Sequence, residues 1–162
     1  MSQEQRLVET VVFAWNSAIV RLDNLLSSLP DNGLGLEIAP GRNRVLYIVG
    51  HLAAHHDRLF ALLRLGERLH PELDHPFIVA PDTKEPSPTA FTSTQHVLEA
   101  WKLVNHQLAE RMASLTAPEW LERHNNVSPE DFLEHPLRNR LAVLISRTNH
   151  VAYHTGQIQL VR

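Results

Sequence analysis

Cysteine is absent from all 162 residues. That excludes disulfides, thiolate nucleophiles and Cys-ligated zinc. A basic block is missing as well: 15 Lys and Arg against 18 Asp and Glu give a net charge of −3. Nucleic-acid binders cluster Lys and Arg and have a domain pI above ~9, so nucleic acid is not an expected partner. No stretch approaches the ~20 apolar residues that cross a bilayer, and no membrane role is expected. At the N-terminus, "MSQEQRLVETVVFAW" puts Glu4, Arg6 and Glu9 where a secretory signal needs an unbroken apolar run. These absences together lead to the expectation of a cytoplasmic protein acting on a small molecule. An apolar fraction of 43% is enough for a core, and the length suits a single domain over 1–162.

Four long segments carry helical periodicity. The first runs from about Gln3 to Leu29, with a stripe of Leu7, Val11, Trp15, Ala18, Leu22 and Leu25. Pro30-Asp31-Asn32-Gly33 stops it. The second runs from about Asn43 to Leu65, with Gly66 as the expected residue just past its end. The third begins after Phe91 with Thr92 or Ser93 as N-cap, and its stripe passes through Trp101, Leu108 and Met112 to Leu115. The fourth runs from about Pro136, in its first turn, to the C-terminus. Residues 67–91 and 116–135 form long connections. The first holds five prolines; the second holds two helix-start signatures, Thr116–Glu119 and Ser128–Asp131. The predicted fold is all-α, a four-helix bundle with long connections between helices two and three and between three and four.

Eleven histidines stand out in this composition. In "RTNHVAYHTGQIQLVR" (147–162), His150 and His154 lie one turn apart, about 40° around the fourth helix. In "GHLAAHHDRLF" (50–60), His51 and His55 repeat that spacing beside an apolar stripe, with His56 nearer its middle. Such residues are packed core imidazoles, a metal site or a catalytic pair. Two inward-facing clusters on two helices favour a metal, because His-x-x-x-His lets two nitrogens reach one ion and a facing helix adds a third. Three ligands leave coordination positions open, the pattern of a catalytic site. Zincin-type proteolysis is excluded, because Val151 stands where HExxH needs glutamate. His70, His75, His96, His106, His124 and His135 have no partner at ligand spacing and are predicted at the surface.

"GHLAAH" (50–55) and "NHVAYHTGQI" (149–158) give the chain a resemblance to the DinB-like (YfiT-like) metal-dependent hydrolase superfamily. The first is similar to the family's histidine followed by leucine and a small residue. The second resembles its late-helix motif of histidine, a variable residue, Gly-Gln and an aliphatic. The order of elements matches over nearly the whole chain. The resemblance implies His51, His150 and His154 as metal ligands, an up-down-down-up bundle, nickel or zinc as the ion, and a homodimer. It also implies hydrolysis or thiol transfer, the latter with a low-molecular-weight thiol as cosubstrate.

Beside these ligands, Arg147 shares the face of His150 and His154 and reads as either an anion clamp or a flank salt bridge. His55 reads as a general base or a partner of His51. Gln157 and Tyr153 are placed to hydrogen-bond a histidine or a ligand. Gly156 reads as a site of close helix approach. Val8, Val12, Ile19 and Leu26 form a second apolar row on the first helix, predicted to meet another chain. Two functions follow: a metal-dependent enzyme activating water or a thiol, or a non-catalytic helical module that binds a metal or a second copy.

Overall fold

The computed structural model of the chain describes residues 2–84 and 92–161. Among the described residues the regular elements are all helices, with isolated bridges (Glu37 to Arg44, Arg123 to Asn139) in place of any strand. The helices are α1 (Gln3–Ser27), α2 (Val45–Leu62), α3 (Thr94–Met112), α4 (Ala117–Trp120), α5 (Pro129–Glu134) and α6 (Arg140–Ile158). Pro86, Pro88 and Phe91 of the proline-rich connection lie outside the described residues.

Local chemistry explains most boundaries. Ser2 opens α1 by accepting from the Gln5 amide, and the helix lets go at Ser27 because Pro30 disfavours α conformation just before it. Ser93, rather than Thr92, caps α3, with its hydroxyl accepting from the His96 amide at 3.2 Å. Thr116 and Glu119 form a capping box at α4, and Ser128 caps α5.

Two expected boundaries move. At the end of α2 the reversal falls on Arg64 (φ 55°), ahead of Gly66 (φ 118°). Leu65 N donates to Phe60 O at 2.7 Å and Arg64 N to Ala61 O at 3.2 Å, a Schellman closure. Helix α6 starts at Arg140, not at Pro136. Asn139 Oδ1 accepts from the Ala142 amide at 2.9 Å, and Arg140 N donates to Glu122 O at 3.0 Å. That tertiary bond fixes the start beyond the proline.

Helix α1 packs on α6, and α2 packs on both α3 and α6. Trp15, Trp101 and Trp120 are fully buried at the centre. The apolar row predicted to meet another chain turns inward instead: Val8 and Ile19 are core residues, with Val12 and Leu26 packed against them. Leu7, expected in the main stripe, is 66% exposed.

The connection after α2 doubles back along that helix and is tied to it by several hydrogen bonds. Phe77 O accepts from His51 Nδ1 at 2.8 Å, Ala80 O from Tyr47 Oη at 2.7 Å, and the Asp82 carboxylate from the Arg44 amide at 2.7 Å. A π-helical turn, His75–Val79, presents the Phe77 carbonyl. Its approach needs glycine at 50, because a Cβ there would sit 2.5 Å from Phe77 ring atoms. Gly50→Ala should therefore cost about 1–3 kcal/mol through overpacking and push Phe77 away from His51. A thermal melt of this variant indistinguishable from that of the parent would count against that account.

Candidate metal centre

Helices α2 and α6 bring His51, His150 and His154 together, with one nitrogen from each ring within 4.8 Å of the others. His154 Nε2 is 3.0 Å from His150 Nε2, which is 3.3 Å from His51 Nε2. The far sides of two rings are fixed. His51 Nδ1 donates to Phe77 O, and His154 Nδ1 donates to Gln157 Oε1 at 2.7 Å. Gln157 is in turn oriented by its Nε2, which donates to Tyr153 Oη at 3.1 Å. With Nδ1 protonated, both rings must turn a lone pair on Nε2 toward the third histidine. His150 Nδ1 is buried without a partner among the described residues.

Three imidazoles so arranged cannot satisfy one another, since one Nε2–H has two lone pairs before it. A cation resolves the conflict. Protons are unwelcome: burial first, then neighbouring positive charge, pushes His150 down to about 4. Burial is also the main cause that lowers His51 and His154. Neutral imidazoles with ordered outer hydrogen bonds are the donor set of a transition-metal site, so these residues fit an ion.

A family profile, the DinB superfamily, matches residues 14–158. The chain belongs to the DinB superfamily. No curated protein matches it. The histidine group capable of holding a metal thus sits in a DinB-like, all-helical chain whose described helices include none long and apolar enough to cross a membrane.

Neighbouring residues divide by face. His56 leaves the site for the core, between Trp15 (ring centroids 4.6 Å) and Trp101 (5.1 Å), donating from Nδ1 to Asn105 Oδ1 at 2.8 Å. Burial pushes it down to about 3. His55 stays beside the trio, its ring centroid 4.5 Å from that of His51 and 5.1 Å from that of His150. Burial, followed by the charges of His51 and Arg147, pushes it down to about 3. So weak a base is far from the near-neutral pKa that suits general-base work. Arg147 makes no ion pair among the described residues, and its Nε is buried without a partner there. The expected flank salt bridge does not form among them. Gly156 is exposed, with nothing within 4 Å of a Cβ built there, so close helix approach does not explain it.

Sequence periodicity misses the charged shell next to the trio. Asp57, fully buried, accepts from the Leu69 amide (2.7 Å), the His70 amide (3.1 Å) and Arg68 Nε (2.9 Å). Arg68 then grips Asp74 with both terminal nitrogens, at 2.8 and 2.7 Å, and Arg58 shares Asp74 at 2.9 Å. The hydrogen bonds from Arg68 are the first cause that holds Asp74 down to about 2. The signal was present as Asp57-Arg58, two charges in the middle of a helix with an apolar stripe.

His70 and His96, predicted at the surface, are half-buried and meet at Glu72. His70 Nδ1 lies 2.8 Å and His96 Nε2 3.2 Å from Glu72 Oε1. These three could also hold an ion. Here, though, the carboxylate already satisfies both rings, unlike the lone pairs that face each other in the first trio.

Proposed function

We propose that the protein is a metal-dependent enzyme in which His51, His150 and His154 hold one divalent ion, nickel or zinc. The observation that carries this reading is the convergence of three Nε2 atoms, two of them forced by Phe77 O and Gln157 Oε1 to present lone pairs. Three protein ligands leave coordination positions open, as in catalytic sites rather than closed structural ones. A bound ion would supply Lewis acidity toward water or a low-molecular-weight thiol, for hydrolysis or thiol transfer. The chain's own groups hold the imidazoles neutral, fix their tautomers and keep the guanidinium of Arg147, without an ion pair among the described residues, beside them. His55 enters as a neutral ring at the site's wall rather than as the proton acceptor. The packing of α1 on α6 and of α2 on α3 and α6 supports the up-down-down-up bundle of the resemblance.

Metal analysis followed by activity screens tests the reading. Purified protein should take up about one equivalent of Ni or Zn at the trio. Because folding lowers the proton affinity of all three rings, protons compete only below their usual range. Half-release should fall below pH 6.5, toward the value of about 4 for His150. No uptake at micromolar metal, or release centred above the usual imidazole range, would contradict it. With the metal in place, turnover in a hydrolysis or thiol-transfer screen favours the enzyme, and silence across both favours the non-catalytic module.

A homodimer belongs to the same proposal. With Val8 and Ile19 buried inside the chain, the apolar residues left on α1 include Phe13 and Val20, 72% and 56% exposed. Light scattering should give a dimer mass, and Phe13→Glu with Val20→Glu should shift it to monomer. A monomeric parent at tens of micromolar rejects the dimer.

A further inference from the structure

Beside the trio opens a cleft of about 440 Å³ lined by His55, Arg58, Arg68, Asp74 and Arg147, with Asn125 and Asn126 at its rim. Its charge is unbalanced. Arg58 and Arg68 are neutralised by Asp74 and, beneath the surface, Asp57. No carboxylate among the described residues neutralises Arg147: three guanidiniums face two carboxylates, an excess of one positive charge.

An unpaired, half-buried guanidinium next to other cations is costly, because desolvation is not offset by a counter-charge. Burial is the main cause that lowers the proton affinity of Arg147, followed by the charge of Arg58. The fold nevertheless holds Arg147 one turn before His150, with its Nε buried and unpaired among the described residues. A planar fork with unused donors is suited to an oxyanion that it can grip with two parallel hydrogen bonds.

We propose that this cleft binds an oxyanion group of the substrate, a carboxylate or a phosphate, with Arg147 as its anchor and Arg58 and Arg68 flanking it. This places the reacting end of the same molecule toward His51, His150 and His154, and so rests on the metal-centre reading above. The substrate class is a small anionic molecule, not a neutral ester or amide. Arg58 and Arg68 are held rigid by Asp74, so they shape the cleft, while Arg147 supplies the free charge.

The test is calorimetric titration of the full chain, metal-free and zinc-loaded, in low-salt buffer. The probes are inorganic phosphate, succinate and, as neutral control, succinamide. At least one oxyanion should bind the metal-free protein, succinamide should not, and Arg147→Gln should weaken the oxyanion about tenfold or more, the usual effect of losing a charged hydrogen bond. Arg147→Lys, which keeps charge but not the fork, should fall between them. Helical circular dichroism should be unchanged and zinc uptake retained in both variants. If Arg147→Gln does not fold, Arg147→Lys takes its place, and a loss of oxyanion affinity with zinc uptake retained is expected of it. Failure of both oxyanions to bind, equal binding of succinamide, or undiminished affinity in the variant overturns the proposal. Zinc uptake separates the two readings. Oxyanion binding without zinc uptake sinks the metal centre alone, and zinc uptake without oxyanion binding sinks the cleft assignment alone.

Discussion

Alanine at His154 should abolish tight metal binding and leave a folded helical protein. The ring supplies one of three converging nitrogens, and His150 and His51 are too few to hold an ion firmly once it is gone. Among the described residues its far nitrogen bonds to Gln157 alone, and its ring is half-buried, so the loss removes little packing. His51→Ala should behave the same way, although it also frees Phe77 O from its bond. A graded comparison sharpens the expectation. Gln157→Leu removes only the hydrogen bond that sets the tautomer of His154, and should weaken the metal by roughly 10–100-fold, the usual cost of an outer partner. The alanine variants should lose more than that. Competition titration against a chromogenic chelator measures all three, and helical circular dichroism checks the fold. An unfolded His154→Ala protein would mean that the ion's ligands are structural. Parent-like affinity in that variant would remove His154 from the site.

Asp57→Ala should give the largest loss of stability, about 3 kcal/mol, within the range for breaking a buried ion pair but at its low end because Arg68 is partly solvated. The carboxylate is fully buried and is the common acceptor for Arg68 and for the amides of Leu69 and His70. Removing it leaves those donors unsatisfied and unpins the turn through which Arg68 and Asp74 reach the cleft. Asp57→Asn, which keeps a carbonyl acceptor, should lose less. Urea unfolding followed by circular dichroism reads both variants. An Asp57→Ala protein as stable as the parent would show that the network is incidental.

The long helices and the trio were legible because they are periodic. Apolar stripes at three and four residue spacing mark four helices, and serine and threonine caps stand where the chain turns. His51, His150 and His154 were legible from i,i+4 spacing and motif likeness. What sequence concealed has no period. Pro136 reads as a valid helix start, and the Asn139 cap on Ala142 together with the bond from Arg140 N to Glu122 O moves the start beyond it. Asp57, Arg68 and Asp74 find one another because the chain folds back after α2, and His70 and His96 meet on Glu72 by a similar return. The first helix carries two adjacent apolar rows, and the pattern alone does not say which neighbour covers which. In the fold Val8 and Ile19 are buried and Leu7 is left outside.

The trio also has a bearing on how the molecule comes together. His51 and His150 are separated by 99 positions, and their near contact is made only when α6 docks against α2. An ion shared between them would act as a late clasp, unable to close on any species in which the last helix is still loose. Occupancy would then report completed assembly, and free ion would raise the melting temperature by mass action in proportion to the logarithm of its concentration. Cells short of the ion would hold a larger pool of chains with α6 frayed, open to proteolysis along the very helix that carries the oxyanion anchor.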